Sequence, residues 1–216
     1  MSMLRQAFRA NLLPALILWG FAVALLVLYY LHVPTHQALM LLAQFKNRLG
    51  LGFSMPAQAI AGALLPFLFQ RIQRGDHRKT AWVHVPYLMV FCAFQGALID
   101  SFYAFQAVIF GNNERLATIL SKVAFDTLLF TPIISMPLAV LAFDFKNAGF
   151  SVARTLQPLG KAWYLSRVLP VYGAALLVWT PAIAVIYALP LALQYPIQAV
   201  VSCFWGLILV IMTSKK

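Results

Sequence analysis

The sequence predicts an all-α membrane protein, a polytopic transmembrane helical bundle of about six spans in a single domain over residues 1–216. The chain has 216 residues, of which 62% are apolar and only 10% are charged. Soluble domains carry about a quarter charged residues, so this chain lacks the side chains that a water-facing surface needs. Disorder is excluded as well, because disordered segments have low hydrophobicity. The charges are unbalanced, with 16 Lys and Arg against five acids.

Six apolar stretches are long enough to cross a bilayer, which takes about 20 residues of helix. The first carries no charge and ends just before His32 and Pro34. The third is long enough to tilt, and the fourth is expected to be kinked and broken at Pro132 and Pro137. The predicted spans are residues 12–31, 51–69, 82–110, 123–143, 168–189 and 191–213. A cleaved signal peptide or a mitochondrial presequence are alternatives for the first stretch, but a retained span is the simplest interpretation.

Two segments between the spans mix apolar and basic residues. Residues 38–49 are typical of an interfacial helix or of a helix extension. In the connector 146–167, aromatic and aliphatic residues interleave with Arg154, Lys161 and Arg167. This pattern predicts a stretch that lies on the lipid headgroups, and it fits an irregular basic loop equally well.

The basic residues support the six-span count. With six spans, 12 of the 16 Lys and Arg fall on the side of both termini and 4 fall on the other. Such asymmetry is what the positive-inside rule expects. It also accounts for the net charge of +11 without nucleic acid, since no basic cluster lies outside a short loop. We therefore expect a lipid bilayer, and no nucleic acid, as the surroundings of this chain.

The polar residues of the third span are candidates for function. Asp100 is placed near the middle of this span, with Gln95 and Tyr103 on the same helix. Acids inside a span are costly and usually face the bundle interior or water. Asp100 therefore either lines an aqueous path or makes a buried structural hydrogen bond in ionised or protonated form. The sequence leaves both interpretations open.

The fourth span supplies a second set of candidate functional residues. Asp126 is predicted to open it, followed by Thr127 and Thr131 before Pro132. An acid in a first helical turn is favoured by the helix dipole, which is a sufficient structural explanation. A broken helix also frees carbonyls that a cavity can use. Lys122 is placed to pair with Asp126 at an i, i+4 spacing. The predicted pore-lining residues are Gln95, Asp100, Tyr103, Asp126, Thr127 and Thr131.

Catalytic and metal-binding patterns are scarce. The serines have no His and acid nearby in an arrangement typical of a triad, and there is no Gly-rich phosphate loop. His32 and His36 are too few for a metal site. We expect no enzyme, no metal and no cofactor.

Three local patterns resemble the Mpv-seventeen and peroxisomal-membrane-protein-twenty-two family. Members have a Gly, an often-His position four residues on and an aromatic pair; then an Asp-Gln with a Pro six residues after the Asp; and finally a Pro with a Trp fifteen residues later. The corresponding residues here are Gly96, Asp100, Phe102 and Tyr103, then Asp126, Thr127 and Pro132, then Pro190 and Trp205. The resemblance implies a four-span family core, to which this chain adds an N-terminal span.

The family resemblance and the intramembrane acids lead to one principal functional hypothesis, a channel-like pore for small solutes or ions. The alternative is a non-conducting scaffold or assembly factor that binds partner membrane proteins or further copies of the chain. The expected location is a bacterial cytoplasmic membrane or, in a eukaryote, the mitochondrial inner or the peroxisomal membrane.

Overall fold

The computed structural model describes residues 3–72 and 80–213, with side chains described at 12–13, 15–72 and 80–207. These residues form eight helices and no β-strand. The helices are α1 (Met3–Leu31), α2 (Val33–Leu49), α3 (Leu51–Ile72), α4 (Trp82–Phe110), α5 (Leu116–Asn147), α6 (Val152–Leu156), α7 (Lys161–Tyr187) and α8 (Leu191–Thr213). The all-helical prediction is confirmed for the described part of the chain.

Four helices, α3, α4, α5 and α7, are long and apolar enough to cross a membrane. Helices α1 and α2 are also apolar enough together, but they meet at an angle of 101°. They are a fifth candidate if the two form one broken span. The bend lies at His32, whose backbone is extended, and Pro34 occupies the first turn of α2. Helix α8 is apolar over Leu191–Leu207. Four to five candidate spans are thus present in the described residues, against the six predicted.

The fourth predicted span is longer than expected and is not broken. Helix α5 begins at Leu116 and continues to Asn147 through both prolines. Pro132 lies inside a stretch of wide π-helical turns, Asp126–Ser135, and Pro137 falls in the first turn of the regular helix that follows. Proline removes one backbone N–H and clashes with the preceding turn. Widening the turns accommodates it while the helix continues.

The predicted connector 146–167 is partly helical. Helix α6 is a single short piece, and α7 begins at Lys161, so the last part of the connector continues directly into the fifth predicted span. Within α7, a further π-helical stretch, Tyr164–Val168, lies where the predicted connector ends and the fifth predicted span begins. The position of the connector on the lipid headgroups stays a prediction.

Helix α8 lies at the centre of the bundle. It packs against α1, α2, α3, α4 and α7, and the side chains of Leu193, Tyr195 and Val201 are completely buried. Helix α1 runs along α7, where the indole Nε1 of Trp19 donates a hydrogen bond of 2.9 Å to the carbonyl of Val178. Helices α3 and α4 form the other closely packed pair.

Gly96 makes the close approach of α3 and α4 possible. A Cβ atom at this position would lie 2.5 Å from the carbonyl oxygen of Ser54, 2.7 Å from the Tyr195 hydroxyl and 2.8 Å from Cβ of Gln58. Small residues let membrane helices approach closely, and here only glycine fits.

Several residues used in the charge argument lie outside the described part. They are Arg74, Arg78, Lys79, Lys215 and Lys216, together with the side chains of Arg5 and Arg9. The side of the membrane on which the two termini lie therefore remains a prediction.

Candidate functional site

A cavity of about 510 Å³ lies between α3, α4, α5, α7 and α8. Small-molecule sites typically have volumes of about 300 to 1,000 Å³. Five of the six predicted pore-lining residues line this cavity, although they come from two different helices. They are Gln95, Tyr103, Asp126, Thr127 and Thr131.

The cavity is elongated along the helices. On α4 its lining residues Leu88, Gln95, Ile99 and Tyr103 recur at intervals typical of one helical face. At 1.5 Å per residue, the distance from Leu88 to Tyr103 along the axis is about 22 Å. This length is a large part of a hydrocarbon core about 30 Å thick.

Most of the wall is apolar. Aromatic side chains supply much of this surface, and the polar groups are hydroxyls, glutamine amides and one carboxyl. The aromatic lining residues are Phe67, Phe91, Tyr103, Phe130, Phe143, Trp179 and Trp205. The ring of Phe130 also stacks on that of Phe102, with centroids 3.7 Å apart, where α4 and α5 meet beside the cavity.

Asp126 is held by hydroxyl groups. The Tyr187 hydroxyl donates to its Oδ2 at 2.7 Å, and the Thr131 hydroxyl donates to its Oδ1 at 2.9 Å. The amide Nε2 of Gln106 donates in turn to the Tyr187 oxygen at 2.9 Å. Asp126 lies more than two turns inside α5, so the prediction that it occupies a first helical turn is wrong. The hydrogen bonds, and not the end of a helix, fix its carboxyl group.

The expected pairing of Lys122 with Asp126 is not formed. The two ion pairs among the described residues are Lys46 with Asp100 and Arg167 with Asp144. Lys122 is 2% exposed, and its Nζ lies 5.8 Å from the centroid of the Tyr187 ring. An ammonium over an aromatic face is attracted by the ring quadrupole, which gives this buried cation a partner other than Asp126.

Asp100 does not line the cavity, in contrast to the prediction. Its Oδ1 lies 2.8 Å from Nζ of Lys46, and its Oδ2 accepts a hydrogen bond of 2.6 Å from the Ser54 hydroxyl. The Tyr195 hydroxyl donates to the Ser54 carbonyl at 2.6 Å and so joins α8 to the same cluster. The structure therefore gives Asp100 the buried structural role that the sequence left as its alternative.

Asp100 is level with the beginning of α3, because its partner Ser54 lies in the first turn of that helix. Lys46 reaches this level from the last turn of α2. Helix α2 thus places the ammonium group of Lys46 beside the close contact of α3 and α4 at Gly96.

Among the lining residues that the sequence analysis missed are two buried glutamines, Gln58 on α3 and Gln198 on α8. Each is 5% exposed, and the side-chain oxygen Oε1 of each is buried without a hydrogen-bond donor. Nε2 of Gln198 donates to the hydroxyl of Ser202 at 2.9 Å. A glutamine inside an apolar span indicates a candidate lining residue, but among the glutamines only Gln95 was predicted on this basis.

Metal-binding clusters are not found in the described residues, where no three His, Cys, Asp or Glu side chains come together. Comparison with known protein families, curated proteins and solved structures gives no significant match for this chain.

Proposed function

We propose that this chain is a multi-pass membrane protein whose internal cavity is the path of a channel-like pore for small solutes or ions. The observation that carries the proposal is the cavity itself. It extends about 22 Å along α4, and it gathers Gln95 and Tyr103 with Asp126, Thr127 and Thr131. Polar groups inside a membrane domain usually mark a substrate or ion path.

The proposed topology has six spans, α1, α3, α4, α5, α7 and α8, with α2 at the membrane surface. Lys46 and Arg48 in its last turn suit an interfacial position. Both termini then share the side that carries most basic residues. Within this topology we also propose distant membership of the Mpv-seventeen and peroxisomal-membrane-protein-twenty-two family, in one of the membranes given above.

The positions of the family-like residues support this membership. Gly96 sits at the α3–α4 contact, while Asp126 and Pro132 share one π-helical stretch. Tyr103 and Trp205 line the cavity from different helices. Four of the nine family-like residues, Tyr103, Asp126, Thr127 and Trp205, thus line one cavity from three helices.

The test is conductance of the purified full chain in planar bilayers. Ala139 on α5 lines the cavity, so Ala139→Trp places an indole inside it and is expected to reduce conductance strongly. Ala104 on α4 is exposed, and Ala104→Trp is the matched control with unchanged conductance. Currents no larger than those of protein-free lipid, or equal currents from both variants, would refute the pore.

A scaffold or assembly factor is the second candidate. The observation that favours it is the neutralisation of Asp100 by Lys46 and Ser54, which removes one of the intramembrane acids from any aqueous path. A scaffold predicts a single stoichiometric partner in cross-linking experiments, together with no conductance.

A further inference from the structure

The described wall of the cavity has a charge composition opposite to that of the chain. The whole chain has 16 Lys and Arg against five acids. The described residues that line the cavity include one acid, Asp126, and no Lys, Arg or His. Lys122 precedes Asp126 by one turn, but it is not one of these lining residues and its ammonium lies over the Tyr187 ring. The described part of the wall therefore presents a carboxyl group to a ligand without a competing basic side chain.

The two fully buried side-chain atoms of the described wall that lack a hydrogen-bond partner are both acceptors. Oε1 of Gln58 and Oε1 of Gln198 are both buried without a donor. Two of the hydroxyl donors nearby are already used, since Thr131 donates to Asp126 and Thr127 donates to the carbonyl of Val123. A buried acceptor is unfavourable until a donor reaches it. A ligand that carries N–H groups would supply such donors.

The aromatic part of the wall suits a cation with an apolar body. Tyr103, Phe130, Trp179 and Trp205 all line the cavity. Aromatic faces attract ammonium groups, and tryptophan does so most strongly. An inorganic cation would leave most of this surface without a contact, whereas an aromatic or alkyl body would cover it.

We propose that the cavity is a binding site for a small organic cation, in which an ammonium group with N–H donors is attached to an apolar, preferably aromatic, body. The ammonium is placed at Asp126, and the body lies against the aromatic wall. This inference rests on the proposed function, because it names the class of solute that the same cavity selects.

The test is competition binding to the full chain in lipid nanodiscs. Radiolabelled 2-phenylethylammonium is the probe, and empty nanodiscs correct for partition into lipid. The unlabelled competitors are 2-phenylethylammonium itself, neutral 2-phenylethanol and anionic 3-phenylpropanoate. The ammonium is expected to compete at a concentration at least about tenfold lower than the alcohol, since hydrogen bonds to charged groups are the stronger ones. The anion is expected to be the weakest competitor.

Two variants assign the preference to the cavity. Asp126→Asn keeps the shape of the side chain and is expected to remove most of the tenfold difference between ammonium and alcohol. Asp144→Asn is the matched control, because Asp144 pairs with Arg167 outside the cavity, and it is expected to retain the difference. If Asp126→Asn does not fold, the order of the three competitors on the unmodified chain decides.

Equal competition by ammonium and alcohol, stronger competition by the anion, or a preference that persists in Asp126→Asn would overturn the inference. Binding does not require conduction, so the two proposals fail separately. A cation preference in a protein without conductance would refute the pore and support the binding site. Conductance without a cation preference would support the pore and refute the binding site.

Discussion

The contact at Gly96 allows a stability prediction with a known sign. In Gly96→Ala, the new Cβ would lie 2.5 Å from the Ser54 carbonyl oxygen, whereas ordinary van der Waals contact begins at 3.4 Å. The neighbours are a backbone atom, a tyrosine hydroxyl in a hydrogen bond and a Cβ atom, none of which is the free end of a flexible side chain. Helices α3 and α4 must therefore separate by nearly an ångström for the variant to fold.

The magnitude follows from two opposing terms. Overpacking costs about 1 to 3 kcal/mol, and the rigid neighbours here favour the upper end. Alanine is about 1 kcal/mol better than glycine inside a helix. We expect Gly96→Ala to lower the free energy of unfolding by about 2 kcal/mol.

The assay is equilibrium unfolding of the purified chain in mixed micelles, followed by circular dichroism. Gly20 is the matched control, because it lies inside α1 with no atom within 4 Å of a Cβ at its position. Gly20→Ala should gain up to about 1 kcal/mol from helix propensity alone. If both variants shift in the same direction, or Gly96→Ala unfolds like the unmodified chain, the close packing of α3 on α4 is refuted.

The cavity and the buried polar groups allow further predictions. In a Cys203→Ala background, a cationic thiol reagent added in water is expected to modify Cys92, which lines the cavity; if only the denatured protein is labelled, water does not enter. Lys46→Met should cost about 3 kcal/mol in the same unfolding assay, and adding Asp100→Leu should restore most of it, because a lone buried charge is worse than none; equal losses would argue against the ion pair. Tyr187→Phe removes a hydroxyl with two buried hydrogen bonds and should cost about 1 to 3 kcal/mol, and an unchanged unfolding midpoint would contradict these bonds.

The sequence was sufficient for the helical class and for five of the residues that line the cavity. Long apolar stretches have few alternatives to helix in a membrane protein, and polar residues inside them are rare enough to stand out. Gln95, Tyr103, Asp126, Thr127 and Thr131 were found for this reason, before their helices could be placed together.

The partners of the polar residues could not be predicted from the sequence. Asp100 and Lys46 are far apart in the chain and meet only because α2 turns back at His32 and α3 packs on α4. Likewise, Tyr187 reaches Asp126 from the end of another helix. Spacing along one helix predicted a Lys122–Asp126 pair, but tertiary contacts provided both residues with other partners.

The central position of α8 has a consequence for biosynthesis. Of the described helices, α8 leaves the ribosome last, yet it packs against α1, α2, α3, α4 and α7. The Tyr195 hydroxyl, which holds the start of α3, is supplied only at that point. The pairs α1–α7 and α3–α4 can pack without α8, but the complete bundle forms only after α8 has been synthesised.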